Sequence, residues 1–256
     1  VRVVILAGGR GTRLAEQTSL IPKPMVPIGG RPMLWHIMSR YAMYGFKDFV
    51  IALGYKGHVI KEYFAHYRRH NDDMEVDLAT GHVIWHSKSS EDWNVTLVDT
   101  GEESMTGGRL ARLRDYLPDP FFLTYGDGVA DIDMNKLLDF HSNAGTLATV
   151  TAVSPPPRFG SLRIREGRVV DFSEKAHLTD DRINGGFMVL KPEILDLVDG
   201  DSCILESGPL VSLAHAGELS AYLHDGFWQP MDTLRERDEL ERLWMEGSPP
   251  WLRNPM

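Results

Sequence analysis

Val1-Arg2-Val3-Val4-Ile5-Leu6-Ala7-Gly8-Gly9-Arg10-Gly11-Thr12-Arg13-Leu14 is the stretch on which the fold turns. Its first seven residues are apolar apart from Arg2 and rich in β-branched side chains, so Val1–Ala7 reads as a buried strand. A strand that runs into glycines exposes successive backbone N–H groups with no Cβ in the way, a cradle for phosphate oxygens. Arg10 and Arg13 lie in that loop, and Pro22-Lys23-Pro24-Met25 follows with a lysine between two prolines. Two better-known phosphate loops are excluded. The pattern G-x-G-x-x-G needs a third glycine where Leu14 stands, and no Gly-Lys-Ser or Gly-Lys-Thr occurs in the chain.

Outward from this loop, Pro32–Tyr44 reads as an amphipathic helix and Asp48–Leu53 as a second strand, an alternation that predicts an α/β fold with a mainly parallel sheet. Helices are predicted over Lys56–Arg69, Gly108–Leu117, Asp133–Ser142 and Asp232–Glu246, and strands over Val95–Asp99, Phe121–Tyr125 and Thr146–Val153. Arg165-Glu166-Gly167 between Ser161–Ile164 and Arg168–Phe172 signals a hairpin, and Gly185-Gly186 interrupts the strand-like Ile183–Leu190. The second half is therefore mixed and richer in β-structure. The tail Ser248–Met256 reads as irregular.

A length of 256 residues suits one domain. No stretch approaches the roughly 20 apolar residues of a membrane span, and the first strand lacks a signal-peptide cleavage site, so the expectation is cytoplasmic with no membrane partner. A single cysteine, Cys203, excludes an internal disulfide. The net charge of −9 opposes nucleic-acid binding, which depends on neutralising phosphates. Capture of an anionic substrate then falls to local charge at Arg10, Arg13 and Lys23.

Asp127 follows a buried strand between two glycines, where open α/β sheets place ligands. Asp232 stands at a helix start and, taken alone, reads first as an N-cap, because Asp is a favoured cap and a helical pattern follows. Together with the loop, the two offer hard oxygen ligands for Mg²⁺. Asp131-Ile132-Asp133 is a rival, because an Asp-x-Asp pair after a strand suits the metal of a glycosyltransferase. His66 and His70 are spaced as zinc ligands on a helix, but no third ligand is evident.

With Leu6-Ala7-Gly8-Gly9-x-Gly11-Thr12-Arg13-Leu14 and Pro22-Lys23-Pro24-Met25-Val26, the chain resembles the sugar-1-phosphate nucleotidyltransferases. Ser104-Met105-Thr106-Gly107-Gly108-Arg109, Thr124-Tyr125-Gly126-Asp127-Gly128, Ile183-Asn184-Gly185-Gly186-Phe187 and Gly226-Phe227-Trp228-Gln229-Pro230-Met231-Asp232 are similar to the glucose-1-phosphate cytidylyltransferase branch. The resemblance implies a Rossmann-like nucleotide-diphospho-sugar transferase fold, with a nucleotide-binding half over about 1–150 and a sugar-phosphate half over about 151–256. It implies that Leu6, Ala7, Gly8, Gly9, Arg10, Gly11, Thr12, Arg13, Lys23, Ser104, Arg109 and Gly126 bind CTP. Gly160, Glu174, Lys175, Asn184 and Gly185 would meet the sugar 1-phosphate, Asp127 and Asp232 the Mg²⁺, and Arg13, Lys23, Asp127 and Asp232 would carry the catalysis. A homohexamer is implied too. The chain departs from the branch at Ile21, where a basic residue is usual, at Ala176 after Glu174-Lys175, and at Gly208, where Leu205-Glu206-Ser207-Gly208-Pro209 lacks an expected carboxylate. These departures leave the identity of the sugar open, and a sensor that lost the reaction stays an alternative.

Overall fold

The computed structural model describes residues 1–11, 18, 20–87, 91–155, 161–165, 168–173 and 182–253. Thr12, Arg13, Gly160, Glu174, Lys175 and Ala176 lie outside them. The main sheet of the described residues has seven strands: β1 (Val3–Leu6), β2 (Asp48–Leu53), β3 (Asn94–Asp99), β4 (Phe121–Tyr125), β5 (Ala148–Val153), β6 (Ile183–Leu190) and β7 (Leu219–His224). Their spatial order is β7-β5-β6-β4-β1-β2-β3. Only β6 runs against its neighbours, so the sheet is mixed and mainly parallel, as the alternation predicts.

The period of two along β1 explains how the sheet is covered. Val3 and Ile5 join one apolar layer, Val4 and Leu6 the other. Parallel strands need such burial on both faces. On the first face packs the Met33–Ala42 helix, whose Leu34, Ile37, Met38 and Tyr41 recur at helical spacing, together with Trp251. On the second pack Leu110, Leu210 and Leu213 from the Thr106–Ala111 and Pro209–Ala216 helices. Each fully buried aliphatic side chain contributes about 1.5–3 kcal/mol relative to exposure, which fixes both layers against the sheet.

Several boundaries differ from the sequence reading. Lys56–Arg69 is two helices, Gly57–Ala65 and Tyr67–Asn71, broken at His66, whose φ of −106° and ψ of 18° leave the helical region. His66 and His70 therefore do not share the unbroken helix that ligand spacing requires. Gly108–Leu117 is a shorter helix, Thr106–Ala111, and a separate 3-10 turn at Arg114–Tyr116. β6 spans Ile183–Leu190, but its ladder with β5 slips between the Val150–Met188 and Ala152–Asn184 pairs, so Gly185, Gly186 and Phe187 stand against Thr151 alone, a bulge at the glycines where the sequence reading places an interruption. The hairpin Ser161–Arg165 with Arg168–Ser173 forms where its turn signal predicts. Within the supposed irregular tail, Pro250–Leu252 is a 3-10 turn that buries Trp251.

Candidate active site

Register places the site. β1 pairs with β4 so that Leu6 lies opposite Tyr125, which brings the Ala7–Gly11 loop and the Gly126-Asp127 turn side by side at the carboxyl ends of their strands. The Gly126 amide donates to the Leu6 carbonyl at 3.1 Å and ties the two loops together. The Lys23–Met25 turn is buried beneath them. Residues 6–11, 23, 24, 102–106, 109 and 125–127 enclose an open cavity of about 460 Å³.

A three-residue ribbon then closes a long sequence gap. Gly128–Ala130 pairs antiparallel with Trp228–Pro230, and the Met231 amide donates to the Asp127 carbonyl at 2.8 Å. Asp127 and Asp232 are thereby set together, and Lys23 Nζ spans them, 2.8 Å from Asp127 Oδ2 and 2.6 Å from Asp232 Oδ1. Asp232 does not cap the following helix. Thr233 does, in a capping box with Glu236, so the Asp232 carboxylate turns to the lysine. Burial works against the Lys23 ammonium, but the charges and hydrogen bonds of Asp127 and Asp232 outweigh it and raise its pKa above the ordinary lysine value. Among the described residues, Lys23 is shared by two carboxylates, which offer hard oxygen donors. That donor set fits a divalent cation bound together with phosphates.

Arg109 lines the same cavity, yet its guanidinium points inward. It donates to the carbonyls of Gly8, Leu53, Gly101 and Glu102 and to Thr100 Oγ1, binding the loop after β1 to the ends of β2 and β3. Its guanidinium passes so close to Gly8 and Gly54 that a Cβ on either would collide with it. Arg10 stands at the rim, paired with Glu103 and, at 3.2 Å, with Glu102. A smaller cleft shares Tyr125 and Asp127 with this cavity and is lined also by Asn184, Gly185, Gly186, Phe187 and Trp228.

The nucleotidyl transferase family model matches residues 2–228. The chain belongs to this family. It is 55% identical over 253 residues to the glucose-1-phosphate cytidylyltransferase of Salmonella typhimurium (strain LT2), covering 98% of both chains. Against the probable glucose-1-phosphate cytidylyltransferase of Bacillus subtilis (strain 168) the identity is 42%, over 98% of this chain and 99% of that one. Among solved structures, HddC from Yersinia pseudotuberculosis superposes with a TM-score of 0.67 at 23% identity, over 95% of this chain and 99% of that one, a likeness of fold. The resemblance drawn from the motifs is thus borne out, as is the fold class. The family uses a divalent metal, together with a nucleoside triphosphate and a sugar 1-phosphate.

In this nucleotidyl transferase, the described members of the expected nucleotide set, Leu6 to Gly11, Lys23, Ser104, Arg109 and Gly126, all line the larger cavity. Asn184 and Gly185 line the adjoining cleft. The rival pair serves structure. Asp133 caps the Met134–Ala144 helix by accepting from the Lys136 amide at 3.0 Å. Asp131 meets His224 Nε2 at 3.0 Å. Glu102, Glu103, Thr106, Tyr125 and Trp228 were not read as site residues; the motifs quoted around Ser104, Asp127 and Asp232 were the signal that could have found most of them. Among the described residues, no helix is long and apolar enough to cross a membrane.

Proposed function

We propose that the chain joins CTP and α-D-glucose 1-phosphate to give CDP-glucose and pyrophosphate, with Mg²⁺ as the divalent ion. The observation that carries this reading is the convergence of Lys23, Asp127 and Asp232 beside the glycine loop. The 55% identity to the Salmonella cytidylyltransferase supports the choice of cytosine and glucose. On this reading the residues from Leu6 to Arg13, with Ser104, Arg109 and Gly126, surround the nucleotide. Asn184 and Gly185, joined by Gly160, Glu174 and Lys175, receive the sugar phosphate.

A phosphate oxygen of glucose 1-phosphate, already ionised at neutral pH, attacks the α-phosphorus of CTP in line. The bond from that phosphorus to the β-phosphate oxygen breaks, and pyrophosphate leaves with the electron pair. No general base is needed, so the obstacle is repulsion between two polyanions. Lys23 and Arg13 offset charge on the transferring phosphoryl group, and the loop amides orient the triphosphate. Asp127 and Asp232 would hold Mg²⁺, which when bound neutralises phosphate charge.

The test is pyrophosphate release with CTP, UTP, dTTP, ATP and GTP, each against glucose 1-phosphate and a panel of other sugar 1-phosphates. Release confined to CTP with glucose 1-phosphate is expected. Release with a different sugar phosphate would move the substrate and make the departures near Ala176 and Gly208 the determinants. Silence throughout would overturn the reading in favour of a sensor or a glycosyltransferase. By resemblance the reading extends to a cytoplasmic homohexamer, which analytical ultracentrifugation checks for the assembly.

A further inference from the structure

Only Tyr125 and Asp127, among the described lining residues, belong to both the larger cavity and the adjoining cleft. Tyr125 is therefore wall to each. One side of its ring meets Gly186, a residue with φ of +78°, where a Cβ would approach Tyr125 Cδ2 to 2.5 Å. Its hydroxyl donates to Glu206 Oε1, and Glu206 Oε2 accepts from Thr106 Oγ1 at 2.7 Å. Thr106 Oγ1 in turn accepts from the Leu205 amide at 2.9 Å, so every link is held at its far end. Thr106 itself lines the larger cavity. One carboxylate thus ties Tyr125, shared by both cavities, to Thr106, which lines the larger one.

We infer that Glu206 is a positioning residue, which through Tyr125 and Thr106 sets the sugar phosphate at attacking distance from the nucleotide. The inference rests on the nucleotidyl transfer proposed above. In-line attack requires reacting atoms within about 3–3.5 Å, and an error of about 1 Å at a remote support can cost about a hundredfold in rate. A tyrosine ring has few torsions, and pinning its hydroxyl to a carboxylate removes the freedom that remains. Charge-assisted bonds of this kind are stronger than neutral ones. Glu206 comes from the loop before the Pro209–Ala216 helix, far from either substrate loop in sequence.

The experiment compares Tyr125→Phe, Glu206→Gln and Glu206→Ala with wild type. It measures calorimetric binding of CTP alone, binding of glucose 1-phosphate with a non-hydrolysable CTP analogue, and kcat with both KM values. Thermal melting is followed alongside. The expected pattern is CTP affinity within about threefold of wild type, weaker glucose 1-phosphate binding, and a kcat lowered by about tenfold or more in Glu206→Ala, the size of losing a hydrogen bond to a charged group. Glu206→Gln still accepts from the phenol and should lose less. If Glu206→Ala fails to fold, Tyr125→Phe and Glu206→Gln carry the same comparison. Variants with kcat and both KM values within twofold of wild type, or losses that merely follow lowered melting temperature, would overturn the inference while leaving the proposed reaction standing. A wild-type chain that binds neither substrate and releases no pyrophosphate would overturn both.

Discussion

Asp127 and Asp131 flank the Gly128–Ala130 strand, four residues apart, and have opposite fates. Asp127 faces Lys23 and two cavities; Asp131 faces His224, while its carbonyl accepts from Arg40. Nothing in their residue type distinguishes them. The difference lies in which neighbour the chain path supplies. Asp127→Asn should lower pyrophosphate release by about 10²–10³ with the melting temperature retained, the scale expected for one preorganised charged group. Asp131→Asn should leave turnover within about threefold and change stability by no more than about 1 kcal/mol, because its carboxylate approaches His224 at 3.0 Å while that ring nitrogen also meets the Phe227 carbonyl. Equal losses of turnover in both variants would reverse this assignment and revive the Asp-x-Asp reading.

At the scale of elements, the glycine loop and the helix after Asp232 show what local sequence can and cannot state. The loop was legible as a phosphate cradle, but not the reason for its first glycine. Gly8 is required because the Arg109 guanidinium, held by four carbonyls and one hydroxyl, occupies the space of a Cβ, whereas Gly9 has open space there. Gly8→Ala should cost about 1–3 kcal/mol, as overpacking does, and weaken CTP binding; Gly9→Ala should change stability by less than about 1 kcal/mol. Denaturant melts and calorimetry separate the two. Asp232 likewise has two readings, cap or ligand, and the first falls because its neighbour fills the cap position. Because Thr233 takes the cap, Thr233→Ala should cost about 1 kcal/mol and lower turnover as the helix start that orients Asp232 frays. Unchanged turnover in a destabilised variant would detach the cap from the site.

Across the whole molecule, His36 joins segments that are far apart in sequence. Its Nε2–H donates to the Ile28 carbonyl at 2.9 Å, its Nδ1 accepts from Trp251 Nε1 at 3.2 Å, and the rings of Trp35, Trp244 and Trp251 meet it edge-on. Burial, with the Arg31 charge adding, outweighs its carbonyl hydrogen bonds and lowers its pKa to about 4. The unfolded chain takes up this proton near pH 6.5 and the folded chain only near 4, so the unfolded state binds more protons in between. Stability should therefore fall as pH drops from about 6.5 to about 4, by up to about 3 kcal/mol from this group. Urea melts across that window check it. His36→Gln should be weaker at pH 7 yet show a flatter acid limb, and an unaltered limb would remove His36 as the cause.

The sequence alone determined the sheet's first strands and its covering helices, and it singled out the glycine loop, Lys23, Asp127 and Asp232 as candidates, because hydrophobic period, glycine runs and prolines act over a few residues and are written locally. It left unread β7, the ribbon that pairs Gly128–Ala130 with Trp228–Pro230 and the Pro209–Ala216 helix. A three-residue strand carries too few side chains for a period to register. Only the tertiary structure decided that Asp127 and Asp232 meet across Lys23, that Arg109 braces rather than reaches outward, and that Glu206 joins two cavity walls. Those are contacts between residues roughly a hundred or more positions apart for the most part, and their geometry is set by strand register and layer packing, quantities that no short window of sequence contains.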